Sequence, residues 1–156
     1  MNHEDYMRRA VSIAEQGIAA GQSPFGAVIV RNGAVVSEAH NTVWLTCDPT
    51  AHAEVGAIRK AAAALRTINL SGCEMYTTCE PCPMCLAATH WSKIDVVYYG
   101  ATIADAQAAG FCELCVGAKI LAEMGGSPLR VETGPLQPEC VALFTKWKTA
   151  ALAKPY

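Results

Sequence analysis

The chain has 156 residues, of which 52% are hydrophobic and 17% charged, enough for one domain with a sizeable core and no disulfide staples. Twelve Lys and Arg face fourteen Asp and Glu, a net charge of −2, which argues against a protein that grips a nucleic-acid backbone by bulk charge. The basic pairs Arg8-Arg9 and Arg59-Lys60 read as wet helix faces. The N-terminus shows acids and no apolar run of signal-peptide type, and no apolar stretch is long enough to span a membrane, so the expectation is a cytoplasmic protein. In that compartment eight cysteines read as metal ligands or small buried hydrophobes rather than as a disulfide framework.

The elements follow in chain order. Tyr6, Ala10, Val11, Ile13, Ala14 and Ile18 recur at helical spacing and predict an amphipathic helix over 4–20. "GQSPFG" breaks it. "FGAVIVRNGAVVSEAHN" predicts a hairpin turning at Asn32-Gly33. Residues 51–65 predict a helix capped by Thr50 or Asp48. A strand over 74–78, a helix over 82–91 and an apolar strand over 95–100 come next. A helix over 115–124, a strand over 129–134 and a helix over 137–152 complete the chain. Strands alternating with helices after a hairpin predict a three-layer α/β/α sandwich around a mixed five-stranded sheet, with parallel right-handed crossovers.

Chemistry concentrates in residues 50–88. Cys82 and Cys85 are separated by two residues at a helix start, where the local dipole favours thiolates. His52 also opens a helix. If both helices start at one end of the sheet, the three side chains converge on one zinc ion (Zn2+), which in catalytic sites takes three protein ligands and keeps the fourth position for water. Glu54, two residues from His52, can then carry the water's proton to a leaving nitrogen. A closed structural zinc site needs a fourth ligand. Cys79 is the candidate, and that reading leaves Glu54 without a role.

"HAE" at 52–54 with "PCPMC" at 81–85 resembles the zinc-dependent cytidine-deaminase-like superfamily of nucleobase deaminases, and the element order resembles that family's over nearly the whole chain. Within it, "SPFGAVIV", "HN" at 40–41, "DPTAHAEVGAIRKA", "YTTCEPCPMCLAA" and "AGF" at 109–111 look most like the bacterial guanine deaminases. That resemblance implies hydrolytic deamination of guanine to xanthine. It implies a purine stacked on Phe25, Asn41 and the amide of Ala53 at the ring edge, and an acid after "AGF", here Glu113, reading the donors of guanine. It further implies Tyr156 covering the site and a homodimer whose segment of about 135–156 is exchanged between subunits. A carboxylate suits that reading role, because guanine presents amino and ring N–H donors.

Cys112-Glu113 departs from the aspartates common at this point in the family, and Cys112 and Cys115 read as small buried side chains or a second metal or redox pair. Trp91 is expected in the pocket wall and His90 at a polar rim. His3 and His40 carry no evident chemistry. The readings left open are another amino-purine, guanosine, cytosine or an aminotriazine as substrate, and tRNA adenosine deaminase. Against the last stand the acidic balance and "GATIADAQAAGF" with no Lys. A non-enzymatic zinc module is the alternative from another class.

Overall fold

The computed structural model describes all 156 residues. The hairpin forms as its turn residues dictate. Asn32 and Gly33 both take positive φ (50° and 76°), the left-handed pair that matches strand twist in a two-residue turn. It joins β1 (Gly26–Arg31) to β2 (Ala34–His40), with an irregularity in register at Ile29/Val30. β3 (Cys73–Cys79) pairs antiparallel with β1, β4 (Val96–Ala101) parallel with β3, and β5 (Arg130–Thr133) parallel with β4. The sheet order is β2-β1-β3-β4-β5, a mixed five-stranded sheet as expected.

Helix α1 (His3–Ala19) begins with a capping box between Asn2 and Asp5 and lays its apolar stripe on β1, β2 and β3. α7 (Gln137–Lys148) packs beside it against β4. There Gly100 permits the approach, since a Cβ would lie 2.2 Å from the Cys140 sulfur. α3 (Ala53–Leu65) covers β1 and β2, and α4 (Pro83–Trp91) packs on α3. β3 divides its side chains accordingly: Tyr76 meets Tyr6 of α1, and Thr77 meets Glu54 of α3.

Two short helices complete the layers without having been anticipated: α2 (Val43–Thr46) and α5 (Ile103–Ala109). α5 carries a capping box of its own between Thr102 and Asp105. α6 (Ala118–Met124) starts three residues later than expected, and 112–117 form an irregular loop. α7 ends at Lys148 rather than 152. The cap of α3 is a correction. Neither Thr50 nor Asp48 caps it; Asp48 accepts from the Thr50 amide (2.8 Å) and hydroxyl (2.7 Å) in a local turn, and His52 takes the N-cap position. No helix is long and apolar enough to cross a membrane.

Candidate active site

Helices α3 and α4 open at the same end of the sheet. His52 is the N-cap of α3 and Cys82 the N-cap of α4, both with extended backbone and neither spending its side chain on a capping bond. Pro83 at the first helical position suits that start. His52 Nδ1 lies 3.7 Å from Cys82 Sγ and 3.5 Å from Cys85 Sγ, and the three ligand atoms are all within 4.8 Å of one another. A tetrahedral zinc with bonds of about 2.3 Å to sulfur and about 2.0 Å to nitrogen sets N···S separations of about 3.5 Å. The donor set and its two N···S separations therefore fit zinc. Cys79 lies outside the cluster, with Sγ toward the Thr102 carbonyl at 3.6 Å, so a closed four-ligand site does not form.

The two cysteines differ in acidity, Cys82 being the acidic one of the pair. The side-chain hydrogen bond from Cys85 lowers Cys82 to about 4, with His52 assisting against the effect of burial. The same bond, together with burial, holds Cys85 well above the ordinary thiol range. Burial works to lower His52, but the Cys82 hydrogen bond and the Glu54 charge outweigh it and its pKa rises.

Glu54 sits in the first turn of α3, 5% exposed, one Oε accepting from the Thr77 hydroxyl at 3.4 Å. Burial raises its carboxyl above the usual range while His52 pulls the other way. A carboxyl raised by burial holds a proton more readily than an exposed one, which suits a proton carrier.

A cavity of about 280 Å³ opens beside His52 and Cys82. His52 and Pro49 form one wall, Cys82, Pro83 and Met84 a second, and Phe111 to Leu114 a third; Tyr156 covers it. Glu113 lines the cavity with Oε2 buried and without a hydrogen-bond partner, and burial raises its pKa to about 7. Tyr156 accepts from Asn41 Nδ2 at 2.6 Å, which leaves the hydroxyl proton free. Asn41 Oδ1 accepts from the Val43 amide. The Ala53 N–H, at the first position of α3, finds no acceptor in the chain.

Of the expected substrate contacts, Glu113 and Tyr156 line the cavity; Phe25, Asn41, Ala53 and Trp91 are not among its lining residues, and Asn41 and Ala53 are fully buried. Phe25 is packed edge-on against Phe111 (ring centroids 4.9 Å apart) and Phe144 (5.9 Å), so Phe111 rather than Phe25 meets the cavity. Trp91 is 76% exposed at the far end of α4, outside the cavity lining. The α4 turn that carries Cys85 faces inward, and Trp91 falls on the outer side. Cys112 and Cys115 are exposed rather than buried, and His90 pairs with Ser127 away from the cavity. Phe111 and Leu114 were not anticipated as lining residues. Their signal was the "AGF" that ends α5 at Gly110, where a positive φ of 108° turns the chain back over the site.

The profile of the cytidine and deoxycytidylate deaminase zinc-binding region matches residues 1–101, and the chain belongs to that family of zinc-dependent deaminases. Among curated relatives it is similar to the guanine deaminase of Bacillus subtilis (strain 168), 43% identical over 161 aligned residues that span 100% of both chains. The X-ray structure of guanine deaminase from Bacillus subtilis superposes with a TM-score of 0.69 at 52% identity, over 70% of this chain and 71% of that one. The crystal structure of NE0047 in complex with 2,6-diaminopurine superposes with a TM-score of 0.88 at 29% identity, over 96% and 83%. A tRNA-specific adenosine deaminase of Aquifex aeolicus is 44% identical, but over 101 residues, 65% of this chain and 67% of its own.

Proposed function

We propose that this protein hydrolyses guanine to xanthine and ammonia. The observation that carries the reading is Glu113: a buried carboxylate oxygen without a partner, in the wall of the cavity that also holds His52 and Cys82. Guanine brings amino and ring N–H donors to such an acceptor. The Tyr156 hydroxyl, held by the buried Asn41 amide and keeping its own proton free, supplies a polar contact for the rest of the ring edge.

His52, Cys82 and Cys85 would hold zinc, which when bound supplies a water acidic enough to act near neutral pH. Glu54 accepts one proton of the attacking water as the C–O bond forms at C2 and passes it to the neighbouring ring nitrogen; it then takes the remaining proton from the new C2 hydroxyl and delivers it to the amino group, which leaves as ammonia as the C–N bond breaks and C2=O forms. Thr77 orients the carboxylate. Phe111 and Tyr156 hold the flat base and exclude bulk water.

The test is release of ammonia from guanine, guanosine, adenosine, cytosine and an aminotriazine by zinc-loaded protein. Guanine is expected to lead. Turnover of adenosine within tRNA and none of guanine assigns the chain to the other branch, and zinc binding with no turnover of any base leaves a zinc module.

Two further parts of the reading concern assembly and place. The protein acts as a homodimer that exchanges residues of about 135–156, in the cytoplasm. Supporting exchange, sequence similarity to the Bacillus protein spans both chains, while superposition of single chains covers 70%. Trp91 on α4 and Ile120 and Met124 on α6 give an apolar face for a second copy. Eight free cysteines suit a reducing compartment. Co-expression of His52→Ala with Tyr156→Ala tests the exchange. An exchanged heterodimer regains one intact site with the parent's KM; without exchange every site carries a lesion and the mixture keeps the raised KM of Tyr156→Ala alone.

A further inference from the structure

The acid that reads the substrate sits on a loop with little of its own to hold it. Within 112–116 the only backbone hydrogen bond is internal, from the Val116 amide to the Leu114 carbonyl. Cys115 contributes a side-chain contact with Gln107. Phe111 anchors the entry to the loop in the aromatic core. At the exit, α6 has no side-chain cap from its own N-cap residue, Gly117.

Glu80 supplies what is missing. It follows β3 directly, its amide extending the β3–β4 pairing to the Ala101 carbonyl at 2.8 Å. Its side chain reaches across the end of β4. Oε2 accepts from the Ile103 amide at 3.1 Å and Oε1 from the Ala118 amide at 2.8 Å. These are the first residues of α5 and α6, amides with no acceptor inside their own helices. One carboxylate thus ties together the two ends of the excursion that carries Glu113, and it springs from the peptide immediately before the zinc-ligand turn.

We infer that Glu80 is a positioning residue for substrate selection: it clamps the Glu113 loop at a fixed distance from the metal ligands, so that the reading carboxylate and the reacting centre share one frame. This rests on Glu113 reading guanine. Charge-assisted bonds of this kind are about twice as strong as neutral ones, and a displacement of about 1 Å in a positioning group can cost about a hundredfold in rate.

The test compares Glu80→Ala, Glu80→Gln, Glu113→Ala and Glu80→Ala/Glu113→Ala, each with zinc content and melting temperature measured. Glu80→Ala is expected to raise KM for guanine about tenfold or more with a smaller change in kcat, and to narrow the preference for guanine over other amino-bases. Glu80→Gln, which keeps one acceptor, falls between. The double variant is expected to be no worse in KM than Glu113→Ala alone, because Glu80 acts through Glu113. A purely structural role for Glu80 predicts instead multiplied losses that track melting temperature or zinc content. That result, or wild-type KM in both Glu80 variants, overturns the inference. Should Glu80→Ala fail to fold, Glu80→Gln decides with amide exchange at Ile103 and Ala118, at least one of which must accelerate. If Glu113→Ala itself leaves guanine KM unchanged, the failure lies in the proposed substrate contact and the clamp falls with it.

Discussion

Asn41 and Tyr156, 115 positions apart in the chain, share a hydrogen bond of 2.6 Å from the Asn41 amide to the Tyr156 hydroxyl at the cover of the cavity. Asn41 is fully buried, and its other amide atom is committed to the Val43 amide. Removing the hydroxyl leaves a buried donor unpaired. Tyr156→Phe is therefore expected to cost about 1–2 kcal/mol in stability and to raise guanine KM, with Tyr156→Ala worse because the cavity loses its cover. Thermal melts and steady-state kinetics check both.

Glu54→Gln keeps the shape of the proton carrier and removes its basicity. Ligation by His52, Cys82 and Cys85 does not involve the Glu54 carboxylate, so metal analysis should find one zinc per chain in this variant. Turnover should fall by about 10²–10⁴. Loss of zinc in step with loss of activity would contradict the assignment.

Chelation should lower both activity and melting temperature, and added zinc should restore both, because an ion bound by the folded chain stabilises it by mass action. Metal displaces protons from thiols, so zinc occupancy in competition with a chelator should drop as pH falls. Cys85→Ala removes one of the three ligands and should abolish high-affinity binding.

Glu113 gives the pH dependence a sign. Burial first, then the charges of Cys82 and Glu54, raise it from an ordinary carboxyl to about 7. Guanine donors need the ionised form, so kcat/KM for guanine should climb with pH toward about 7 and then level, and Glu113→Gln should erase that inflection. Stability runs the opposite way. A folded-state pKa above the unfolded one means the native state binds the extra proton, so this contribution is complete below about 4.5 and is lost as pH rises through about 7.

Phe25 packs against Phe111 and Phe144 with 8% of its surface exposed. Phe25→Ala is expected to cost about 3–5 kcal/mol of stability through the void it leaves. A variant that melts like the parent but loses guanine affinity would restore Phe25 to direct stacking. Denaturant unfolding beside KM separates the two.

Much of the fold was legible because periodicity is local: the hairpin at Asn32-Gly33 and the apolar strands over 74–78 and 95–100 follow from neighbours in sequence. So was the metal cluster, since His52 and Cys82 each open a helix and need only parallel helix starts to meet. Helix α5 was missed although Thr102 and Asp105 spelled its cap. Phe25 and Trp91 show what pattern cannot supply. Which ring of an aromatic cluster faces a cavity depends on packing among residues 25, 111 and 144, and which side of α4 faces inward depends on α3. The reach of Glu80 to residues 103 and 118 is a matter of three dimensions alone.

β4 ends at Ala101, where the family profile also stops, and the boundary falls between two kinds of work. His52, Glu54, Cys82 and Cys85 all precede it, while Glu113 and Tyr156, the two expected substrate contacts that line the cavity, follow it. On the proposed reading, the chain after β4 is a replaceable faceplate on a fixed reaction centre. Exchanging residues 102–156 for another deaminase's counterpart should retune which base is accepted and leave the hydrolytic machinery in place, with Glu80 as the fitting the graft must engage.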